Sequence, residues 1–249
     1  MLEQRSKYDI NGYFIEKNFF TIEEIERLNN QTTSIFAQWS SANLKQIRHH
    51  KLVNMSGLTQ RKYFADSPSR IAFFESVFSK KLWRLVSGVF GDEIRFHNTQ
   101  LFFNPDDPAQ LPYWHRDLQY SDVSDAVQQS ALAQMLSLHC RIPLVAETGI
   151  VLVPGSHVRW DTEREFAERS KNVSEVPLPG EHYIDLDVGD MLVFNAQMIH
   201  RGHYNKTSER KALDLCVGKR HELLADSVDA SVFPSQEEMQ VLSNQQWYR

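Results

Sequence analysis

Two hydrophobic periods divide this chain. Up to about residue 92, apolar residues recur every three or four positions, the spacing of helices that each bury one stripe. Thr21-Ile22-Glu23-Glu24 reads as a capping box, with a glutamate three residues past the capping threonine. Ile22, Ile25, Leu28, Thr32, Ile35, Phe36 and Trp39 then follow on one face. Ahead of this helix, Gly12-Tyr13-Phe14-Ile15 within residues 7–20 reads as a short strand. Ser67-Pro68 predicts a second helical region, a serine cap with proline at the first position. Its apolar face carries Phe73, Phe74, Val77, Phe78, Leu82, Leu85 and Val86, and it stops at Gly88 or Gly91.

From about Ile94 the period falls to two. Runs rich in β-branched and aromatic residues at 94–104, 133–144, 149–153, 183–186, 191–195 and 211–218 read as strands. Asn104-Pro105-Asp106-Asp107-Pro108, Pro154-Gly155-Ser156 and Val188-Gly189-Asp190 supply turns between them. Helices first and short strands afterwards predict an α+β, β-rich protein with its strands in a sandwich or barrel. No repeat or low-complexity linker interrupts the chain, so a single domain over 1–249 is expected, helical over about 1–92 with a β core over about 93–220. Residues 161–171 are densely charged, with Phe166 the one candidate for burial. They read either as a solvated helical insertion or as a lid over a site.

Composition narrows the partners. A net charge of -5 offers no basic footprint for nucleic acid. Cys140 and Cys216 are too few for a disulfide scaffold and fit a reducing compartment. Met1 to Lys7 have no apolar run behind their charges, and no stretch reaches the ~20 apolar residues that span a bilayer. A cytoplasmic protein with no membrane contact is therefore expected. The glycosylation patterns at Asn30, Asn172 and Asn205 then count as chance matches.

The chemistry concentrates in two segments. His115 and Asp117 alternate around Arg116, so an extended strand turns both to one face. His200 follows the predicted strand Met191-Leu192-Val193-Phe194 and brings a third ligand. Two histidines and a carboxylate form a facial triad that holds non-haem Fe(II), leaving positions open for O2 and a bidentate organic ligand. Arg210 enters the alternating run Lys211 to Val217 and can turn a planar guanidinium inward against a carboxylate. Lys211 and Arg201 compete for that role. Gln100 and Asn104 share one strand face, and Ser137, His139 and Arg141 share another, opposite Leu136, Leu138, Cys140 and Ile142. That polar face lines a cavity or meets solvent. Arg116, Gln119 and Tyr120 flank the ligand segment as candidate substrate contacts.

Four motifs in order now carry a resemblance: Tyr113 to Asp117, Glu147 to His157, Gly189 to Phe194, and His200 to Arg210. With them the chain resembles the phytanoyl-CoA dioxygenase-like family of Fe(II)/2-oxoglutarate-dependent oxygenases, from about Gly88-Val89-Phe90-Gly91 through Cys216, and more weakly at Gly12-Tyr13-Phe14. The resemblance implies a double-stranded β-helix, or jelly roll, flanked by helices. It implies Fe(II) on His115, Asp117 and His200, 2-oxoglutarate anchored by Arg210, and O2 as oxidant. The Gln100 to Asn104 run resembles the Gln/Asn-bearing strand of small-molecule hydroxylases in the family. If the polar face of the 133–144 strand looks inward, His139 and Arg141 become candidates for 2-oxoglutarate or an anionic substrate. His157 belongs to the family's Pro-Gly-Ser-His turn and takes a structural role. Related halogenases carry a small residue where Asp117 stands, so its presence points to hydroxylation. The implied reaction hydroxylates an unactivated carbon of a small polar or anionic molecule and releases succinate and CO2. Two alternatives remain open at this point. A cupin-like metalloprotein working without 2-oxoglutarate would be indifferent to Arg210→Ala, and a non-catalytic binding or sensor protein would bind ligand without turnover.

Overall fold

The computed structural model describes every residue except 172, 205–207, 226–228 and 249. The glycosylation patterns at Asn172 and at Asn205-Lys206-Thr207 thus involve positions outside the described residues.

The chain opens with a helix that its pattern does not announce, α1 (Leu2–Asn11), in which Tyr8 alone is buried. One buried residue leaves no stripe for periodicity to detect. Gly12, at φ +84°, ends α1 in the left-handed region and turns the chain into β1 (Tyr13–Glu16). Helix α2 (Ile22–His49) begins at the expected capping box: the Glu24 amide donates to Thr21 Oγ1 at 3.2 Å and the Thr21 amide to Glu24 Oε2 at 2.8 Å. Ile25, Leu28, Thr32 and Ile35 form its buried stripe, whereas Ile22 at the first turn is exposed. After β2 (Asn54–Ser56), the second helical region is two helices, α3 (Ser67–Val77) and α4 (Lys80–Phe90). The cap of α3 is Asp66 and not Ser67, because the Asp66 carboxylate accepts from the Ser69 amide. Ser79 caps α4, which stops at Gly91.

The β part comprises β3 (Arg95–Phe103), β4 (Ser137–Pro143), β5 (Glu147–Leu152), β6 (His182–Leu186), β7 (Met191–Asn195), β8 (His200–Gly202) and β9 (Lys211–Gly218). Short helices α5 (Asp125–Ala131) and α6 (Glu163–Arg169) lie in its connections. Six strands form one sheet in the order β1-β7-β4-β9-β3-β2 and three form another in the order β6-β5-β8. All pairings are antiparallel. This is the expected jelly roll. The turn into β7 depends on Gly189, at φ +98°, where a Cβ would stand 2.9 Å from the Phe20 carbonyl oxygen.

Strand parity explains how the layers assemble. On β4 and β9, Leu138, Cys140, Ile142, Leu213, Leu215 and Val217 face outward and join Phe73, Phe74, Val77, Phe78, Leu82 and Val86 of the helices in one core. On these two strands the large sheet therefore has its apolar side outside, under the helices, and polar residues inside. The two sheets meet through a smaller cluster, with Ile150, Leu152, Ile184 and Leu186 against Leu192, Phe194 and Met198. A third cluster, centred on Trp114 with Val151, Val153 and Ile199, covers the outer face of the small sheet. None of the described helices is long and apolar enough to cross a membrane.

Candidate metal centre and active-site cavity

His115 and His200 face each other across an isolated antiparallel bridge. The amide of each donates to the carbonyl of the other at 2.9 Å, so the main chain fixes their spacing. Asp117 follows at the start of a 3-10 turn, its amide bonded to the Ala196 carbonyl at 3.1 Å. The expected strand through 115–117 is thus a single bridged residue entering a turn, and the two ligands still point the same way. The imidazole centroids are 4.1 Å apart. His115 Nδ1 lies 3.2 Å from the Tyr113 carbonyl and His200 Nδ1 lies 3.0 Å from the Met198 carbonyl. Carbonyl oxygens only accept, so Nδ1 carries the proton in each ring and Nε2 keeps a lone pair. Asp117 Oδ1 stands 3.8 Å from His115 Nε2 and 3.3 Å from His200 Nε2. Ligand atoms of the three residues all lie within 4.8 Å of one another.

The charges around this cluster favour its deprotonated form. Burial, reinforced by His200, pushes His115 down to about 3. Burial opposes the Asp117 carboxylate, but His139 and His200 prevail and hold its pKa well below the usual range. His139 is the centre of a buried relay. Its Nε2 lies 2.9 Å from Asp117 Oδ2 and its Nδ1 lies 2.9 Å from Asp214 Oδ2. Only a doubly protonated imidazole donates to two carboxylates at once. Burial works against that charge, but Cys216, Asp117 and Asp214 outweigh it and raise His139 well above the ordinary value. The relay continues from Asp214 Oδ1 to Arg141 Nη1 at 3.0 Å and from Arg141 Nε to Glu147 Oε1 at 2.7 Å.

Apart from Glu147, these groups line a cavity of about 850 Å³. Arg210 lies in its wall, 5 % exposed, with Nε donating to the Gly149 carbonyl at 3.3 Å and Nη1 to the Phe103 carbonyl at 3.1 Å. Its guanidinium sits 5.2 Å from the centre of the Phe102 ring and 5.6 Å from that of Tyr204. Among the described residues no carboxylate pairs with it, and burial together with Arg141 pushes it down to about 10. Farther along β3 and on the neighbouring β2, the cavity carries neutral amides and a hydroxyl. Asn54 Nδ2 donates to Gln100 Oε1 at 3.3 Å and Asn98 Nδ2 to Ser56 Oγ at 2.7 Å. Tyr120, largely exposed, stands beside His115 with ring centroids 5.6 Å apart.

Gln100, His139, Arg141, Arg210 and Tyr120 therefore line the same cavity as the cluster, while Asn104, Arg116 and Gln119 do not. Asn104 falls one residue past β3, where parity no longer governs, and its side chain donates to the Ser208 carbonyl. Arg116 lies on the opposite face from the ligands and is wholly buried against Asp161. Gln119 is paired with Arg169. Lys211 turns toward Asn29 and Thr33 of α2, and Arg201 stacks on Trp114 outside the small sheet, which leaves Arg210 as the cation of the three that reaches the cavity. His157 is buried outside the cavity, edge-on to Tyr8. The 161–171 segment does form a helix, but Phe166 is exposed while Glu165, Glu168 and Arg169 are buried. Sequence reasoning missed Asn54, Ser56, Asn98 and Asp214. Strand β2 is too short to show alternation, but Asp214 was visible between Ala212 and Cys216, on the opposite parity from Leu213, Leu215 and Val217.

Comparison with known proteins gives the family and the fold. The family described as Phytanoyl-CoA dioxygenase (PhyH) matches residues 8–212. None of the curated proteins compared with the sequence matches it. Among solved structures, EctD from S. alaskensis, with 2-oxoglutarate and 5-hydroxyectoine, is 19% identical with a TM-score of 0.65, over 88% of this chain and 76% of that one. HygX from Streptomyces hygroscopicus, with iron bound, is 18% identical with a TM-score of 0.58, over 88% and 86%. SnoK, a non-heme alpha ketoglutarate dependent carbocyclase from nogalamycin biosynthesis, is 14% identical with a TM-score of 0.60, over 88% and 84%. At these identities the likeness is one of fold.

Proposed function

We infer the function from one premise: this chain belongs to the phytanoyl-CoA dioxygenase family of Fe(II)/2-oxoglutarate-dependent oxygenases. On that premise it hydroxylates an unactivated carbon of a small polar or anionic molecule, with iron on His115, Asp117 and His200 and 2-oxoglutarate anchored by Arg210. The observation that carries this reading is a two-histidine, one-carboxylate cluster sharing a cavity with a buried arginine that pairs with no acid among the described residues.

The donor set fits the metal. Two neutral imidazoles with their Nε2 lone pairs turned inward, and one ionised carboxylate, are the ligands that non-haem Fe(II) takes in a facial triad. When bound, iron and 2-oxoglutarate supply the oxidising chemistry, consuming O2 and yielding succinate, CO2 and hydroxylated product. The protein supplies position and charge. His139 keeps Asp117 Oδ2 occupied and leaves Oδ1 for the metal. The N–H groups of Arg210 not engaged by Gly149 and Phe103 meet a carboxylate as a planar fork. Beside the metal ligands, the buried acids Asp214 and Glu147 are taken up by His139 and Arg141, which leaves Arg210 to meet the cosubstrate carboxylate. The amide and hydroxyl wall of Asn54, Ser56, Asn98 and Gln100 suits a substrate that offers hydrogen bonds. EctD, crystallised with 5-hydroxyectoine, is in keeping with a small substrate of that kind.

The chain works as one domain, since the N-terminal helices cover the apolar side of the large sheet. Its free, buried cysteines Cys140 and Cys216 suit a reducing cytoplasm. Anaerobic addition of Fe(II) and 2-oxoglutarate to metal-free protein tests the reading. A weak visible metal-to-ligand charge-transfer band, lost in His200→Ala, is the expected result. Iron binding without the band would overturn the role of 2-oxoglutarate and favour a metalloprotein that works without it.

A further inference from the structure

We propose that Arg116, Asp161 and Arg169 form a buried brace that positions the metal ligands from behind, with the charged 161–171 insertion as its anchor. The inference rests on reading His115, Asp117 and His200 as a metal centre.

Arg116 stands between two of those ligands and points away from them, into the protein on the outer side of the small sheet. Its side chain is 0% exposed, as is that of Asp161. Nε and Nη2 donate to Asp161 Oδ1 at 3.0 and 2.8 Å. Nη1 donates to the Ser156 carbonyl at 2.8 Å and to the Gln197 carbonyl, and Nη2 also donates to the Arg159 carbonyl at 3.1 Å. These five contacts match the five N–H donors of a guanidinium. They tie three stretches of chain together: the His115–Asp117 segment, the loop from Ser156 to Asp161, and Gln197 just ahead of His200. Both histidine ligands and the carboxylate ligand are therefore referenced to one side chain.

Asp161 passes the connection on. Its second oxygen accepts from Arg169 Nε at 2.7 Å, at the end of α6. Arg169 Nη1 donates to Gln119 Oε1 at 2.9 Å and Gln119 Nε2 donates to the Arg169 carbonyl at 3.1 Å, while Nη2 reaches Asp125 at 3.2 Å. The helix is thus sewn to the turn that begins at Asp117 and carries Tyr120 to the cavity. Trp160 fills the space beside both cations, with guanidinium carbons 5.1 and 5.4 Å from its ring centre. A helix held in this way is not a free cover. It docks by buried charge, while Phe166 stays half exposed beside the Arg169 guanidinium. Burying two guanidiniums around one carboxylate is a poor way to gain stability. A planar fork that joins three segments is a good way to fix geometry.

The test uses the full-length, metal-free chain titrated with Co(II), whose visible spectrum reports occupancy of the site. Arg116→Lys keeps the charge and loses the fork, and Asp161→Asn keeps the shape and loses the pairing. Each should weaken Co(II) binding by about tenfold, the usual effect of removing a group that orients metal ligands. Arg70→Lys is the control for loss of a buried guanidinium elsewhere, since Arg70 pairs with Glu238 at 2.7 Å on α3. It should leave Co(II) affinity within about twofold of the wild type. Amide exchange on the unmodified protein gives a second readout that needs no variant: Co(II) should slow exchange over 161–169 as well as at 115–117 and 198–200. Equal Co(II) binding by Arg116→Lys and wild type overturns the proposal, as does equal weakening by Arg70→Lys or unchanged exchange over 161–169. Failure of the wild type to bind Co(II) would instead overturn the metal-centre reading on which the brace depends.

Discussion

Replacing Arg210 by methionine isolates what its charge does. Methionine keeps an unbranched stem against Phe102 and Tyr204 and removes the guanidinium. In the ligand-free protein that cation is held at a cost. Burial and Arg141 lower it from 12.5 to about 10, which corresponds to about 3 kcal/mol of unfavourable placement. A carboxylate arriving from the cavity offsets this, because the N–H groups not used by Gly149 and Phe103 then gain a charged partner. Two charge-assisted hydrogen bonds contribute about 3–6 kcal/mol before the ligand's own desolvation is subtracted. A net loss of about 3 kcal/mol is a rise of roughly 150-fold in Kd for 2-oxoglutarate. The assay is anaerobic titration of the Fe(II)-loaded variant with 2-oxoglutarate, followed by the charge-transfer band, with the urea midpoint of the metal-free variant measured alongside. That midpoint should not fall, since the substitution also removes a buried unpaired charge. A Kd within about threefold of the wild type, with iron still bound, would refute the argument that Arg210 is the anchor.

Two further outcomes follow from groups already described. His115 titrates at about 3 in the folded chain against 6.5 for the free side chain, so below pH 6.5 the unfolded state takes up the proton first. The contribution of His115 to the stability of the metal-free protein is therefore intact above pH 6.5 and drains away toward pH 3, by about 2 kcal/mol at pH 5. Urea midpoints at pH 7 and pH 5 measure the loss, and His115→Gln should flatten this part of the profile. Gly189→Ala places a Cβ 2.9 Å from the Phe20 carbonyl oxygen at a φ of +98°, and should cost about 1–2 kcal/mol in thermal unfolding without altering Fe(II) affinity.

The sequence made some features plain and concealed others for identifiable reasons. Strands β4 and β9 show alternation although both their faces are buried, because their inner faces carry polar residues, while β7 is apolar on both faces and shows no period of two. Alternation across His115, Arg116 and Asp117 turns the two ligands together and sends Arg116 the other way, although only His115 is bridged and Asp117 opens a turn. Arg116, read from the sequence as a candidate substrate contact, lies on the face away from the cavity. Strand β2 and strand β8 are three residues each, too short to show any period. The inward polar face of β4 was ambiguous because a polar strand face looks the same in sequence whether it meets water or a cavity. What decides it is the helical layer over Leu138, Cys140 and Ile142, which the 133–144 segment does not encode. The charged 161–171 segment misled most. Its partner for Asp161 lies 45 residues away in Arg116, and no local pattern distinguishes charges that will be buried together from charges that face solvent.

Because the main chain sets how far His115 stands from His200, the seat for the ion exists before any ion arrives. A seat of that kind asks little rearrangement of the protein when metal enters. Intrinsic affinity for nitrogen and oxygen donors rises from iron through cobalt and nickel to copper, with zinc also well above iron. Two imidazoles and one carboxylate include no donor that reverses this order. Which ion it carries is then decided by supply, and its oxidising activity becomes a readout of how much ferrous iron its surroundings hold relative to stronger-binding competitors.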